Sequence, residues 1–285
     1  MKILVTGAAG RVGSAVVERC RGRHETVAFD HLTPQVGDQV VTADVRDRDA
    51  VFAAAAGCDA IIHPAGFHGG QLGTHPSSDF LEVNVIGVNH LYEAMVEHGI
   101  RRLVQSSTME VVCGRDWLAN GVAVLDEGTQ PKPDAIYALS KYLAEQLAPY
   151  YLRQYGLTTA ILRYMNVDTL TPQQAGYQMT ARWVWRYDVA EANILAAEAS
   201  TIGCEVFHIG PDTPLSNQDI HLSRRDPAAV LEKHWPGSVE LLRRHNIELK
   251  DCLWPIAPIA KAKRLLGWQP EATFGGFLAE LAAKG

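Results

Sequence analysis

Tyr137 and Lys141 stand four positions apart in Tyr137-Ala138-Leu139-Ser140-Lys141, where a stretch of helical periodicity begins. On a helix that spacing puts both side chains on one face. A lysine ammonium beside a phenol favours the phenolate. At ~4 Å and an effective dielectric of ~20 the attraction is about 4 kcal/mol. At ~1.36 kcal/mol per unit that is about three units, enough to bring a tyrosine from ~10 towards ~7. A base near neutrality is what proton removal from an alcohol requires as its hydride leaves. The same spacing is common by chance, and a surface aromatic beside a lysine would look identical.

A second candidate lies at the amino end. Gly7-Ala8-Ala9-Gly10-Arg11-Val12-Gly13 has the spacing G-x-x-G-x-x-G, follows an apolar strand and opens a helix. Glycines suit a turn where backbone must bend sharply and approach a pyrophosphate, and the helix start offers free N–H groups. Asp30 ends the next strand, about 20 residues on, where an acid accepts from a ribose 2′-hydroxyl and repels a 2′-phosphate. This favours NAD over NADP, although Arg11 is placed to reach a phosphate and Asp30 also reads as a solvated loop acid. Asp44 and Val45 follow the third strand, where an acid and a backbone N–H can hold adenine; a helix-capping acid fits Asp44 equally well.

The elements that must position these groups alternate. Strands are expected at Lys2–Thr6, Thr26–Phe29, Gln39–Thr42, Ala60–His63, Arg102–Ser106, Thr159–Arg163 and Glu205–Ile209. Helices are expected at Arg11–Arg21, Asp47–Ala56, Ser78–His98, Tyr137–Tyr155 and Tyr187–Ala199. Continuous apolar strands alternating with helices predict an α/β fold, a doubly wound parallel sheet of the Rossmann kind. Prolines punctuate the last third, with short helices expected at Gln218–Leu222, Pro227–His234, Ile259–Leu266 and Gly276–Ala283. The expected division is a nucleotide-binding domain over 1–165, joined by 187–210, and a small, mostly helical substrate lobe from 166–186 and 211–285.

Composition narrows the classes. The 285 residues carry 32 acids against 26 bases, a formal charge of −6, which argues against a nucleic-acid partner. No apolar run approaches the ~20 residues of a membrane span. Lys2–Gly7 enters a strand and turn directly, so no leader peptide is expected. Five widely spaced cysteines, with no C-x-x-C, fit a reducing cytoplasm.

Taken in order, these segments resemble the NAD-dependent epimerase/dehydratase family of extended short-chain dehydrogenases/reductases. The resemblance rests on the glycine turn, His63-Pro64-Ala65-Gly66, Asn84-Val85-x-Gly87, Ser106-Ser107-Thr108, the Tyr137/Lys141 pair, Leu162-Arg163-Tyr164-Met165-Asn166-Val167, Asp188-Val189-Ala190, and Lys263-Arg264-Leu265-Leu266-Gly267-Trp268-Gln269-Pro270. It implies Tyr137 as general acid/base, Lys141 on the nicotinamide ribose and depressing the Tyr137 pKa, and Thr108 on the reacting oxygen. It implies a cofactor site of Gly7, Gly10, Arg11, Val12, Gly13, Asp30, Asp44, Val45, Pro64, Ala65, Gly66, Asn84, Ser106, Tyr137, Lys141 and Met165. Substrate contacts are expected from Thr108, Glu110, His68, Asn166 and Arg182. Long apolar helices at 78–98 and 137–155 resemble those that form a homodimer interface in the family.

Departures from the family pattern bear on the reaction. Ser107-Thr108-Met109-Glu110-Val111 resembles the S-T-D-E-V of nucleotide-sugar dehydratases, but Met109 cannot donate a proton, so sugar dehydration is not expected. Asn166 and Asp188 lie 22 positions apart (188 − 166), too few for the insertion that wraps a nucleotide-linked sugar. Tyr177–Trp183 resembles the short stretch of uronate dehydrogenases, and Arg182 can fork a substrate carboxylate or make a surface salt bridge. Phe67–Ser77, rich in glycine and histidine, reads as a mobile lid; a metal on His63, His68 and His75 is not expected, for want of partners at ligand spacing. Trp183, Trp185, Trp235 and Trp254 read mostly as packing. The function this favours is an NAD-dependent oxidoreductase of a small sugar, sugar acid or related hydroxy compound. A sugar epimerase holding NAD tightly and a non-catalytic nucleotide-sensing relative are the alternatives.

Overall fold

The computed structural model describes residues 1–114, 121, 123–249 and 255–284. Trp254, named above, and Cys252, one of the five cysteines, lie outside them. The strands are β1 (Lys2–Thr6), β2 (Glu25–Asp30), β3 (Gln39–Thr42), β4 (Ala60–His63), β5 (Arg102–Thr108), β6 (Thr158–Tyr164) and β7 (Cys204–Ile209). They form one parallel sheet in the order β3-β2-β1-β4-β5-β6-β7. The order reverses between β1 and β4, which opens a crevice at the strands' carboxyl ends.

The helices are α1 (Arg11–Cys20), α2 (Arg48–Ala55), α3 (Ser77–Leu81), α4 (Gly87–His98), α5 (Ile136–Tyr155), α6 (Pro172–Ala175), α7 (Arg186–Glu198), α8 (Asn217–Ser223), α9 (Pro227–His234), α10 (Ser238–Arg244), α11 (Ala260–Leu266) and α12 (Phe274–Ala283). Strand alternation divides the core. Ile3, Val5, Ala60, Ile62 and Val104 face α1 and α7. Leu4, Ile61, Leu103 and Ile161 face α2, α4 and α5. Among the described residues no helix is long and apolar enough to cross a membrane.

The structure departs from the sequence reading in three places. The helix expected over 78–98 is broken by a π-helical turn at Glu82–Ile86 between α3 and α4. Such turns widen a helix locally and re-aim side chains; this one carries Asn84. Helices α6 and α10, in the lobe, are further elements the sequence reading did not expect. The expected lobe also yields its penultimate helix to the main sheet. Ile259, Ala262, Leu266 and Trp268 join the core on the α1/α7 face. The Trp268 indole donates to the Asp188 carbonyl at 2.8 Å, and the Asp188 carboxylate accepts from Glu271 and Ala272 N–H at 2.8 and 3.1 Å. The remaining lobe helices gather around Trp183, Leu231, Leu242, Phe274 and Phe277, and around Leu215, Ile220 and Val230.

Candidate active site

One cavity of about 870 Å³ runs along the crevice, from the glycine turn past Tyr137 and Lys141 to Asn166 and Arg182. The glycine turn is dictated by close backbone approach. Gly7 has φ +65°, and a Cβ there would lie 2.6 Å from Ala65 N; a Cβ on Gly13 would overlap the Gly7 carbonyl. Gly10 is less constrained, with its nearest atom, Gly7 O, at 3.1 Å. No side chain caps α1, and Gly10, Arg11, Val12 and Gly13 line the cavity. Its free N–H groups and positive dipole end suit a pyrophosphate.

Asp30 is buried on the cavity wall and ties β2 to the turn. It accepts from Ala9 N–H and Leu32 N–H, each at 3.0 Å, and meets His31 Nδ1 at 2.8 Å. Asp44 is neither bare nor a helix cap. Arg46 forks it at 3.0 and 2.8 Å, which holds its carboxyl below the usual range; Asp47 caps α2 instead. Arg11 reaches across to the Val167 carbonyl at 3.4 Å.

On the far side of the turn, Pro64, Ala65 and Gly66 form wall. A Cβ on Gly66 would lie 2.8 Å from Lys141 Nζ. Asn84, expected to touch the cofactor, stands one layer back and fully buried. Its amide clamps the Phe67 backbone at 2.8 and 3.0 Å and donates to Ser140 Oγ at 2.9 Å. It therefore positions the Gly66 wall rather than forming it. Ser106 and Met165, expected at the cofactor, line the cavity.

At the reacting end the Tyr137 hydroxyl is hydrogen-bonded to the Thr108 side chain. Lys141, buried four residues on, donates to the Ser106 carbonyl at 3.3 Å. The charge balance corrects the sequence expectation. Burial pushes the Tyr137 phenol up, the Thr108 hydrogen bond opposes this, and Glu110 and Tyr164 add to it. Burial also brings Lys141 down to about 8, with Glu145 opposing. Desolvation is the largest influence on each of the two groups.

Glu110 keeps solvent access on the rim. The surrounding protein still raises its carboxyl, and Asp134 adds to the effect. Asn166 and Arg182 are brought together by main chain, Asn166 N–H donating to Arg182 O at 3.1 Å, and both line the cavity. His68 lines it too, with Nδ1 accepting from Gly70 N–H at 2.9 Å. That bond and the one from His68 N–H to Gln71 Oε1 at 2.9 Å cap a 3-10 turn at Gly69–Gln71, within the segment expected as a lid. His63 meets Thr6 Oγ1 at 2.7 Å, and His75 packs on Phe67 at 4.6 Å between ring centres. Among the described residues no three metal-binding side chains converge.

Sequence reasoning missed several groups. Tyr164 bonds Ser106 Oγ at 2.8 Å and Asn193, and it sat unread inside a quoted motif. Cys113 also lines the cavity, its thiol pushed up to about 12 by burial, then by Glu110 and Asp134. Burial thus favours the thiol over the thiolate there.

A parallel sheet with a glycine turn at its switch point, and a Tyr–Lys helix facing that turn, defines a dinucleotide-dependent oxidoreductase architecture. Comparison with known proteins agrees. The model of the NAD dependent epimerase/dehydratase family matches residues 3–176. The chain is 30% identical to the uronate dehydrogenase of Pseudomonas putida over 195 residues, 67% of this chain and 69% of that one. It is 30% identical to the L-arabinose 1-dehydrogenase (NAD(P)(+)) of Haloferax volcanii over 249 residues, 78% of this chain and 91% of that one. A solved structure of a mutated uronate dehydrogenase superposes with a TM-score of 0.71 at 25% identity, covering 100% of this chain and 86% of that one. The chain belongs to the NAD-dependent epimerase/dehydratase family; it is an enzyme, and its cofactor is NAD.

Proposed function

We propose that this enzyme is a dehydrogenase of a free sugar or sugar acid, with Thr108, Tyr137 and Lys141 at the reacting centre. The observation that carries the reading is one cavity holding the glycine turn at one end and the Thr108–Tyr137 hydroxyl pair at the other. Two further facts support a substrate without a nucleotide. The segment between Asn166 and Asp188 is short and closed by the Asn166–Trp183 bridge. Two relatives are named for oxidising uronate and L-arabinose.

NAD, when bound, accepts the hydride from the carbon that bears the reacting hydroxyl. The chain's own residues handle the proton. Tyr137 Oη takes it from the substrate hydroxyl, and Thr108 holds the oxygen in line. The phenol is raised by burial, so it serves as base only beside a positive charge, which Lys141 supplies. Glu110, His68, Asn166 and Arg182 surround the place left for the sugar, and a sugar carboxylate would pair with Arg182. Asp30 leaves no room for a 2′-phosphate without charge repulsion, so NAD is preferred to NADP.

The test is absorbance at the reduced-nicotinamide band, with NAD and a panel of free hexuronic acids, aldoses and polyols. Growth of the band with one sugar class, slower with NADP, is the expected result. A flat trace from protein that binds NAD would overturn the dehydrogenase reading and favour an epimerase that returns the hydride.

The reading extends to assembly as a homodimer. Leu81, Ile86 and Val96 on the α3–α4 stretch and Leu139, Leu143 and Tyr150 on α5 are large apolar side chains left exposed. Burying them against a second copy follows from the cost of apolar surface in water. Light scattering at micromolar concentration should give twice the chain mass, and a monomer mass would remove the proposal.

A further inference from the structure

The sheet face beneath α5 carries a row of polar side chains where apolar ones are the rule. Ser107 on β5, Arg163 on β6 and His208 on β7 are register partners, so they lie side by side across the sheet. All three are at most 4% exposed. Glu145 descends onto the row from α5, itself 3% exposed. It accepts from Ser107 Oγ at 2.6 Å and from Arg163 at 2.9 and 2.7 Å.

A buried ion pair gives little net stability, because desolvation consumes most of the Coulombic gain. Its position is more informative. Glu145 is four residues after Lys141, one turn along the same buried helix face. Ser107, its hydrogen-bond donor, also lines the main cavity.

We propose that Glu145 is a positioning residue for the Tyr–Lys site: its carboxylate, fixed by Ser107 and Arg163, keeps Lys141 charged inside the cleft. The proposal rests on the dehydrogenase reading, in which a charged Lys141 is what lets Tyr137 act as base. The groups facing Lys141 can be named. On α5 there is Glu145; on β4, His63; in the following loop, His68, which Arg11 also faces; on β6, behind Glu145, Arg163. Burial and Lys141 push His63 down to about 3, and burial, Arg11 and Lys141 push His68 down, so both are neutral near pH 7. His208 is likewise pushed down to about 3, by burial, Arg163 and Lys261. Glu145 is ion-paired with Arg163 and, one helical turn from Lys141, is the carboxylate that opposes the burial of that ammonium. Without it, desolvation acts on Lys141 unopposed, and the ammonium is discharged at a lower pH.

The experiment is a ¹³Cε titration of Lys141 in cofactor-free protein, the signal assigned by its loss in Lys141→Arg. The wild type should titrate near pH 8. Glu145→Gln should lower the midpoint by roughly one to three units. In turnover, the same variant should move the rising limb of the kcat–pH profile to higher pH, because Tyr137 loses its charged neighbour. If Glu145→Gln fails to fold with Arg163 unpaired, Glu145→Gln/Arg163→Gln replaces the ion pair by two amides, with a smaller downward shift expected because the repelling Arg163 charge is removed as well. A folded variant whose Lys141 midpoint is unchanged overturns the proposal. A lower melting temperature with that midpoint fixed would mark Glu145 as structural only. The titration needs no substrate, so a failed dehydrogenase assay leaves it readable.

Discussion

Replacing Tyr137 by phenylalanine is expected to lower kcat by about 10²- to 10⁴-fold, the usual range for a lost general acid/base. The substitution removes one oxygen and little else. The ring stays in its buried slot, and Thr108 Oγ1 still accepts the Glu110 N–H at 3.2 Å. The lost hydrogen bond is worth about 1 kcal/mol net, so the fold should persist. The glycine turn, Asp30 and Lys141 are untouched, so NAD affinity should change little. Three measurements separate the cases: kcat with the best sugar of the panel, NAD affinity by calorimetry, and the melting temperature. A variant that keeps more than a tenth of wild-type turnover would remove Tyr137 from the mechanism. Equal loss of NAD binding and turnover would instead make it a cofactor contact.

Why some of this was legible in sequence, and some not, follows from the range of each cause. The glycine turn was readable because its constraint is local: Gly7 and Gly13 meet backbone within a few residues or at the next strand end, and no side chain is tolerated. The central strands β1 and β4 were readable because burial on both faces leaves an apolar run, while the edge strand β3 is mostly exposed. The bonds of Asn84 to the Phe67 backbone and to Ser140 were not legible, because a π-turn changes where a helical side chain points. Asp44 was read without Arg46, two residues on, since nothing in a sequence says that a short loop will curl into a fork. Glu145 and Arg163 lie 18 positions apart (163 − 145) on different elements, so their pairing exists only after α5 docks on β6. The direction of the Tyr137 shift failed for a related reason. Spacing along a helix gives the attraction between two charges, but the opposing desolvation depends on everything packed around them.

That locality makes the glycine turn the sharpest test of the cofactor site. Gly13→Ala is expected to cost about 1–3 kcal/mol of stability, the range for forcing an extra carbon into a filled space, and to weaken NAD binding at least about tenfold, or ~1.4 kcal/mol. Its Cβ would fall on the Gly7 carbonyl, with the Gly7 carbon and the Ala8 Cα close behind. All three are backbone atoms of the turn itself, so no flexible side chain can give way. The start of α1 must move off the turn, and the N–H groups that should face a pyrophosphate move with it. Gly10→Ala, three residues earlier in the same turn, is the comparison. Its Cβ meets only the Gly7 carbonyl oxygen, at 3.1 Å, and its φ of −82° suits any residue. That variant should lose far less stability and bind NAD more nearly as the wild type does. Chemical denaturation and calorimetric NAD titration of the two proteins decide the point. If Gly10→Ala proves the more damaging, contact with the cofactor, not packing of α1 on the turn, governs this end of the site.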